Sequence, residues 1–114
     1  MTETYRTPAD AERAFYRAFE RADIAAMVAV WDDAPDVVCI HPLGPLLTGP
    51  GAVLGSWRAL LGGGAGLRFT VRVNQAFETG DVAIRVVSES IHVIGEAEPR
   101  PPVLATNAYR RTGS

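Results

Sequence analysis

An imidazole at the end of an apolar strand is the first group in this chain whose type and setting could do chemistry. His41 stands in Cys39-Ile40-His41-Pro42-Leu43-Gly44, where the strand runs up to the histidine and a proline and a glycine turn the chain away. Desolvation favours the neutral ring, and a neutral imidazole accepts a proton near neutral pH, so His41 is a candidate general base. The competing reading is that it ends the strand and hydrogen-bonds a backbone carbonyl. Glu89 is a second candidate, because Ser88-Glu89-Ser90 interrupts a strand that is apolar at both ends. Burial would raise its carboxyl pKa and let it act as a base or orient an imidazole; the plainer alternative is a solvated or dimer-facing glutamate. Strand parity puts Glu89 with Val87 and Ile91, and away from Ser88, Ser90 and His92.

Other reactive groups point elsewhere. His41 and His92 would make a metal pair without a third organised ligand, so neither a metal nor any other cofactor is expected. Asp32-Asp33 reads as a solvated helix end rather than a catalytic dyad. Cys39 alternates with His41 along the strand and reads as an inert buried thiol, since nothing basic is set to ionise it.

The elements that must hold these residues follow from periodicity. Thr7-Pro8-Ala9-Asp10 has an N-cap, a proline suited to the first helical position and an acid for the positive helix end. Ala11, Ala14, Phe15, Ala18, Phe19 and Ala22 then make one apolar stripe. Asp23 caps a second helix in which Ile24, Met27, Val28 and Trp31 share a face, and Asp32-Asp33-Ala34-Pro35 ends it. Val37 to His41 is a short strand, Leu46 to Thr48 its return leg, and Gly49-Pro50 opens a third helix carrying Val53, Trp57, Leu60 and Leu61. The Gly62-Gly63-Gly64-Ala65-Gly66 run stops that helix. Beyond it Leu67, Phe69, Val71 and Val73 alternate with polar residues, Thr79-Gly80-Asp81 turns, Val82 to Ile94 is a second long strand, and Val103 to Arg111 a third after the Pro99, Pro101, Pro102 loop. Helices followed by an antiparallel meander predict an α+β fold with about three N-terminal helices on one face of a curved sheet. Arg111-Thr112-Gly113-Ser114 reads as the start of a hairpin turn, so either a final strand follows or a neighbouring chain supplies the pairing.

Composition sets the bounds. The length of 114 residues predicts a single domain over 1–114, and 47% hydrophobic with 21% charged residues is ordinary for a globular protein. A net charge of -2, with the arginines scattered, leaves no basic surplus for a phosphate backbone, so nucleic acid is not an expected partner. No apolar stretch approaches the length of a membrane span, so no membrane partner is expected either. A single cysteine and an N-terminus without an apolar signal region make the cytoplasm the expected compartment.

Taken together, the helix pair joined at Arg21-Ala22-Asp23-Ile24-Ala25-Ala26-Met27, the Trp31-Asp32-Asp33 helix end, His41-Pro42-Leu43-Gly44, Gly49 opening a helix that carries Ser56-Trp57, and Ala105-Thr106-Asn107-Ala108-Tyr109 resemble the NTF2-like, ketosteroid-isomerase-like superfamily, in particular its SnoaL-like branch. The resemblance covers essentially the whole chain. It implies a cone-shaped fold with an apolar pocket and a homodimer through the outer sheet face. Carried over, the catalytic aspartate of steroid isomerases falls at His41, their proton-donating aspartic acid at Asn107 and their helix-one tyrosine at Phe15. His41 would then be the base and Asn107 an amide donor to a developing oxyanion, which fits isomerisation, dehydration or cyclisation of a small hydrophobic carbonyl compound. Phe15, Phe19, Met27, Trp31, Trp57 and Leu60 would line the pocket. The alternative is a non-catalytic ligand-binding or dimerisation module on the same scaffold.

Overall fold

The computed structural model describes residues 5–64, 66–98 and 100–112. Ala65 of the glycine run, Pro99 of the proline loop, and Gly113 and Ser114 of the terminal turn lie outside the described residues. The backbone gathers into two units, up to residue 65 and from residue 66 onward.

The first unit holds helix α1 (Pro8–Arg21), helix α2 (Ile24–Val30), strands β1 (Val38–Ile40) and β2 (Leu46–Thr48), and helix α3 (Pro50–Leu61). Helix α1 starts where its caps dictate: the Thr7 hydroxyl accepts the Asp10 N–H at 3.1 Å and Pro8 takes the first turn. It stops at Ala22, whose φ of 51° is left-handed and whose N–H returns to the last turn of the helix. One residue later the Asp23 carboxylate accepts the Ala26 N–H at 3.0 Å and starts α2, so two caps make the corner.

Ala18, Met27, Val53, Trp57 and Leu61 form the buried core of this unit, with Phe15, Phe19, Val30, Trp31, Cys39 and Leu47 packed around it. Burying a side chain such as Met27 or Val53 stabilises by about 1.5–3 kcal/mol. Three expectations need correction. Ile24 is exposed, because it opens α2 at the corner and not on its buried face. Trp31 lies just past α2 as its C-cap residue. Leu60 is 49% exposed while its neighbour Leu61 is buried, the two pointing about 100° apart around α3. Glu12 and Tyr16, one helical turn apart, are also buried, a face of α1 that apolar spacing did not mark.

The second unit is an antiparallel meander of β3 (Leu67–Thr79), β4 (Val82–Val93) and β5 (Val103–Arg110) in that spatial order. Val71 and Val103 flank Glu89, Val73 and Ala105 flank Val87, and Asn107 stands opposite Arg85. Directly paired residues share a sheet face, so Arg85, Val87, Glu89, Ala105 and Asn107 all lie on one side. A bulge at Asn74 shifts the register between Val73 and Gln75, which puts Phe77 opposite Ile84 on the other face. The Asn74 amide donates to Ser88 Oγ at 2.8 Å on that side. Among the described residues no helix is long and apolar enough to cross a membrane.

Candidate functional site

His41 follows directly on β1 and begins a tight turn: its carbonyl accepts the Gly44 N–H at 2.8 Å, with Pro42 second and Leu43 at φ 62° third. A Cβ at position 44 would lie 3.1 Å from the His41 carbonyl oxygen, so a larger residue there requires the turn to give slightly. The backbone of the histidine is therefore held by the turn, leaving its ring to be oriented by side chains.

The ring meets α3. His41 Nε2 lies 2.9 Å from Ser56 Oγ, and Ser56 Oγ lies 2.6 Å from the carbonyl oxygen of Val53 one turn back. A serine hydroxyl has one hydrogen, and two oxygens at the latter separation repel unless it lies between them. That hydrogen is therefore given to Val53, leaving the Ser56 lone pairs toward the histidine. His41 Nε2 must carry a hydrogen to complete the chain, so in the neutral ring the free lone pair is on Nδ1. This polarity is the reverse of a serine nucleophile activated by a histidine base.

The imidazole packs against one aromatic side chain. Its centroid is 4.9 Å from that of Trp57 with the planes at 72°, and Trp57 in turn packs edge-to-face on Phe19 at 5.0 Å and Phe15 at 5.4 Å. Such pairs add about 0.5–1.5 kcal/mol each beyond burial. The Trp31 N–H donates to Met27 Sδ at 3.3 Å. Cys39 Sγ stands 3.8 Å from His41 Nε2. Burial pushes its thiol pKa up, only partly offset by the indole of Trp57, so the thiol stays protonated. The Trp57 N–H itself is buried and meets no acceptor with hydrogen-bond geometry among the described residues.

The sequence-predicted residues thus fall into two sets. Phe15, Phe19, Met27, Trp31 and Trp57 belong to the packed core, which touches the His41 ring through Trp57, and Leu60 does not. Glu89 and Asn107 share the half-buried face of the sheet, with Arg85 paired to Asn107 across the strands. Ser56, which the sequence reading named only as part of Ser56-Trp57 and gave no role, is the side chain set against the His41 ring. His92 Nε2 is engaged by the Glu96 carbonyl at 3.1 Å, and among the described residues no three His, Cys, Asp or Glu side chains gather to hold a metal. The Asp32 carboxylate accepts the Ala34 N–H at 3.0 Å and so serves the turn after α2. A groove of about 350 Å³ beside α1 is lined by Arg13, Arg17 and Arg21 together with Asp10 and Asp23, a surface carrying both signs of charge.

An α+β chain with this order of elements, carrying a histidine where strand meets turn, has the NTF2-like fold, and comparison with known proteins places it further. Residues 9–114 match the SnoaL-like domain family, and the chain belongs to that family. A structure from Thiobacillus denitrificans, provisionally described as a calcium/calmodulin-dependent protein kinase type II association domain, is 41% identical over 96% of this chain and 87% of its own, with a TM-score of 0.91. An NTF2-like protein from Streptomyces avermitilis, provisionally described as a dehydratase, is 32% identical over 90% of this chain and 82% of its own, with a TM-score of 0.75. A ketosteroid-isomerase-like protein from Catenulispora acidiphila in complex with trimethylamine shares the fold at 21% identity, covering 94% of this chain and 79% of its own, with a TM-score of 0.59. Comparison with proteins of curated function finds no significant match.

Proposed function

We propose that this protein binds a small hydrophobic carbonyl compound and that His41 Nδ1 acts on it as a general base, in an isomerisation, dehydration or cyclisation. The observation that carries the reading is the chain His41 Nε2–H to Ser56 Oγ to Val53 carbonyl, which leaves one nitrogen free with its lone pair available. In the step itself Nδ1 takes a hydrogen from the carbon next to the carbonyl as a proton. The C–H electron pair moves toward the carbonyl, whose oxygen becomes the enolate, and the proton then returns to carbon or assists departure of a leaving group. The Nε2–H bond to Ser56 persists in both the neutral and the protonated ring, so no side chain has to turn during the cycle. The relative provisionally described as a dehydratase fits this class of chemistry.

A second reading is favoured by a separate observation. The relative at 41% identity is described as an association domain, and the sheet face opposite Glu89 exposes Phe77, Ile84 and Leu104. On this reading the chain is an association module that homodimerises through its sheet in the cytoplasm, with or without a ligand.

Incubating ketone probes with the protein in D₂O and following deuterium uptake beside the carbonyl by NMR tests the first reading. Uptake lost in His41→Ala supports it, and uptake equal in both proteins refutes it.

A further inference from the structure

We propose that the indole N–H of Trp57 is the hydrogen-bond donor that recognises the ligand, taking the oxygen of a small ketone or enone bound beside His41. The inference rests on the reading of His41 as a base and adds the group on the ligand that is recognised.

Trp57 is 4% exposed, and its Nε1 meets no acceptor with full hydrogen-bond geometry among the described residues. Leaving a buried donor unmade costs free energy, and native interiors rarely tolerate it without a use. The neighbouring tryptophan shows that the same cluster supplies an acceptor where packing alone is at stake, since the Trp31 N–H is given to Met27 Sδ. The Trp57 N–H does face the Cys39 thiol and lowers its pKa by a weak hydrogen bond, against the larger effect of burial, without reaching the geometry of a well-made one. A protonated thiol is a weak acceptor that a carbonyl or enolate oxygen readily outcompetes.

Position supplies the rest. The Trp57 ring is in edge contact with the His41 ring, so base and donor sit on adjoining side chains. A carbon acid needs this pairing: a base at the carbon and a donor at the oxygen to which the electron pair moves. Trp57 keeps its proton throughout, holding the enolate oxygen while His41 Nδ1 carries the proton taken from carbon. Because the N–H is closed off from solvent, ligand entry must shift a side chain next to it.

The indole resonances of ¹⁵N-labelled protein, assigned by Trp31→Phe, are followed during titration with cyclohex-2-enone and, as a shape control without oxygen, cyclohexene. The expected result is a downfield shift of the Trp57 N–H with the enone alone. Replacing Trp57 by benzothienylalanine in the Trp31→Phe background keeps the shape and removes the N–H. Enone binding should then weaken roughly tenfold, with cyclohexene binding unchanged. A Trp57 resonance that stays still while the His41 ring responds to the enone overturns this proposal and leaves the His41 reading standing. No response from either residue overturns both. A Trp57 shift of equal size with cyclohexene reduces the residue to apolar wall and overturns the proposal.

Discussion

Ser56 Oγ accepts the hydrogen of His41 Nε2 across 2.9 Å, because its own hydrogen is already committed to the helix backbone at Val53. The pair fixes which histidine nitrogen is free. Ser56→Ala removes the acceptor, and long-range ¹H–¹⁵N spectra of the His41 ring should show the single Nε2–H form of the wild type giving way to a mixture. Ser56→Thr keeps an oxygen there and should restore the wild-type pattern. A stability loss of about 0.5–1.5 kcal/mol should accompany Ser56→Ala in urea unfolding.

Cys39 gives a pH signature. Burial raises its pKa in the folded chain above the unfolded value, so the neutral thiol contributes stability that is fully present below the unfolded pKa and is lost as pH rises through the folded pKa. Unfolding free energy should therefore begin to fall from roughly pH 8.5 upward, and Cys39→Ala should flatten part of that slope. Iodoacetamide should alkylate the folded protein far more slowly than the urea-unfolded chain at pH 8.

Leu43 occupies the third position of the His41 turn at φ 62° and is 109% exposed, so it bears left-handed strain without packing in return. Leu43→Gly relieves the strain but gives the unfolded chain more conformational freedom, which offsets part of the gain and leaves a net stabilisation of about 0.5 kcal/mol. Chemical denaturation should show a raised midpoint with an unchanged slope.

The exposed sheet face tests the association reading. Phe77 is 56% exposed and Leu104 73%, with Ile84 between their strands. If the chain dimerises there, sedimentation should give a dimer for the wild type and a folded monomer for Ile84→Lys, since a charge in an apolar interface is left unpaired. A wild-type monomer at micromolar concentration would remove that reading.

Much of this was legible in the sequence where one local rule governs a position. Thr7 and Asp23 cap as their side chains require, Gly49-Pro50 opens α3, and the alternation from Leu67 to Val71 matches the half-buried side of β3, although Val73 on that side is exposed. Strand parity also placed Glu89 with Val87, as the register has it. What escaped were features set by tertiary packing. The Asn74 bulge reverses the parity of β3 without a glycine or proline to announce it. Leu60 and Leu61 are adjacent apolar residues that only packing separates into outside and inside. Ser56 looked like an ordinary helix residue, because its partner lies fifteen positions away and its hydrogen goes to its own helix. Similarly, a tryptophan in an apolar stripe reads as core until its N–H is seen to lack a well-placed acceptor.

The most direct measurement is deuterium uptake beside the carbonyl of ketone probes in D₂O, compared between the wild type, His41→Ala and His41→Asn. The account predicts uptake above the buffer rate with the wild type and its loss in both variants, each folded by circular dichroism. Uptake that survives removal of the imidazole, or a wild type no faster than buffer, would contradict it.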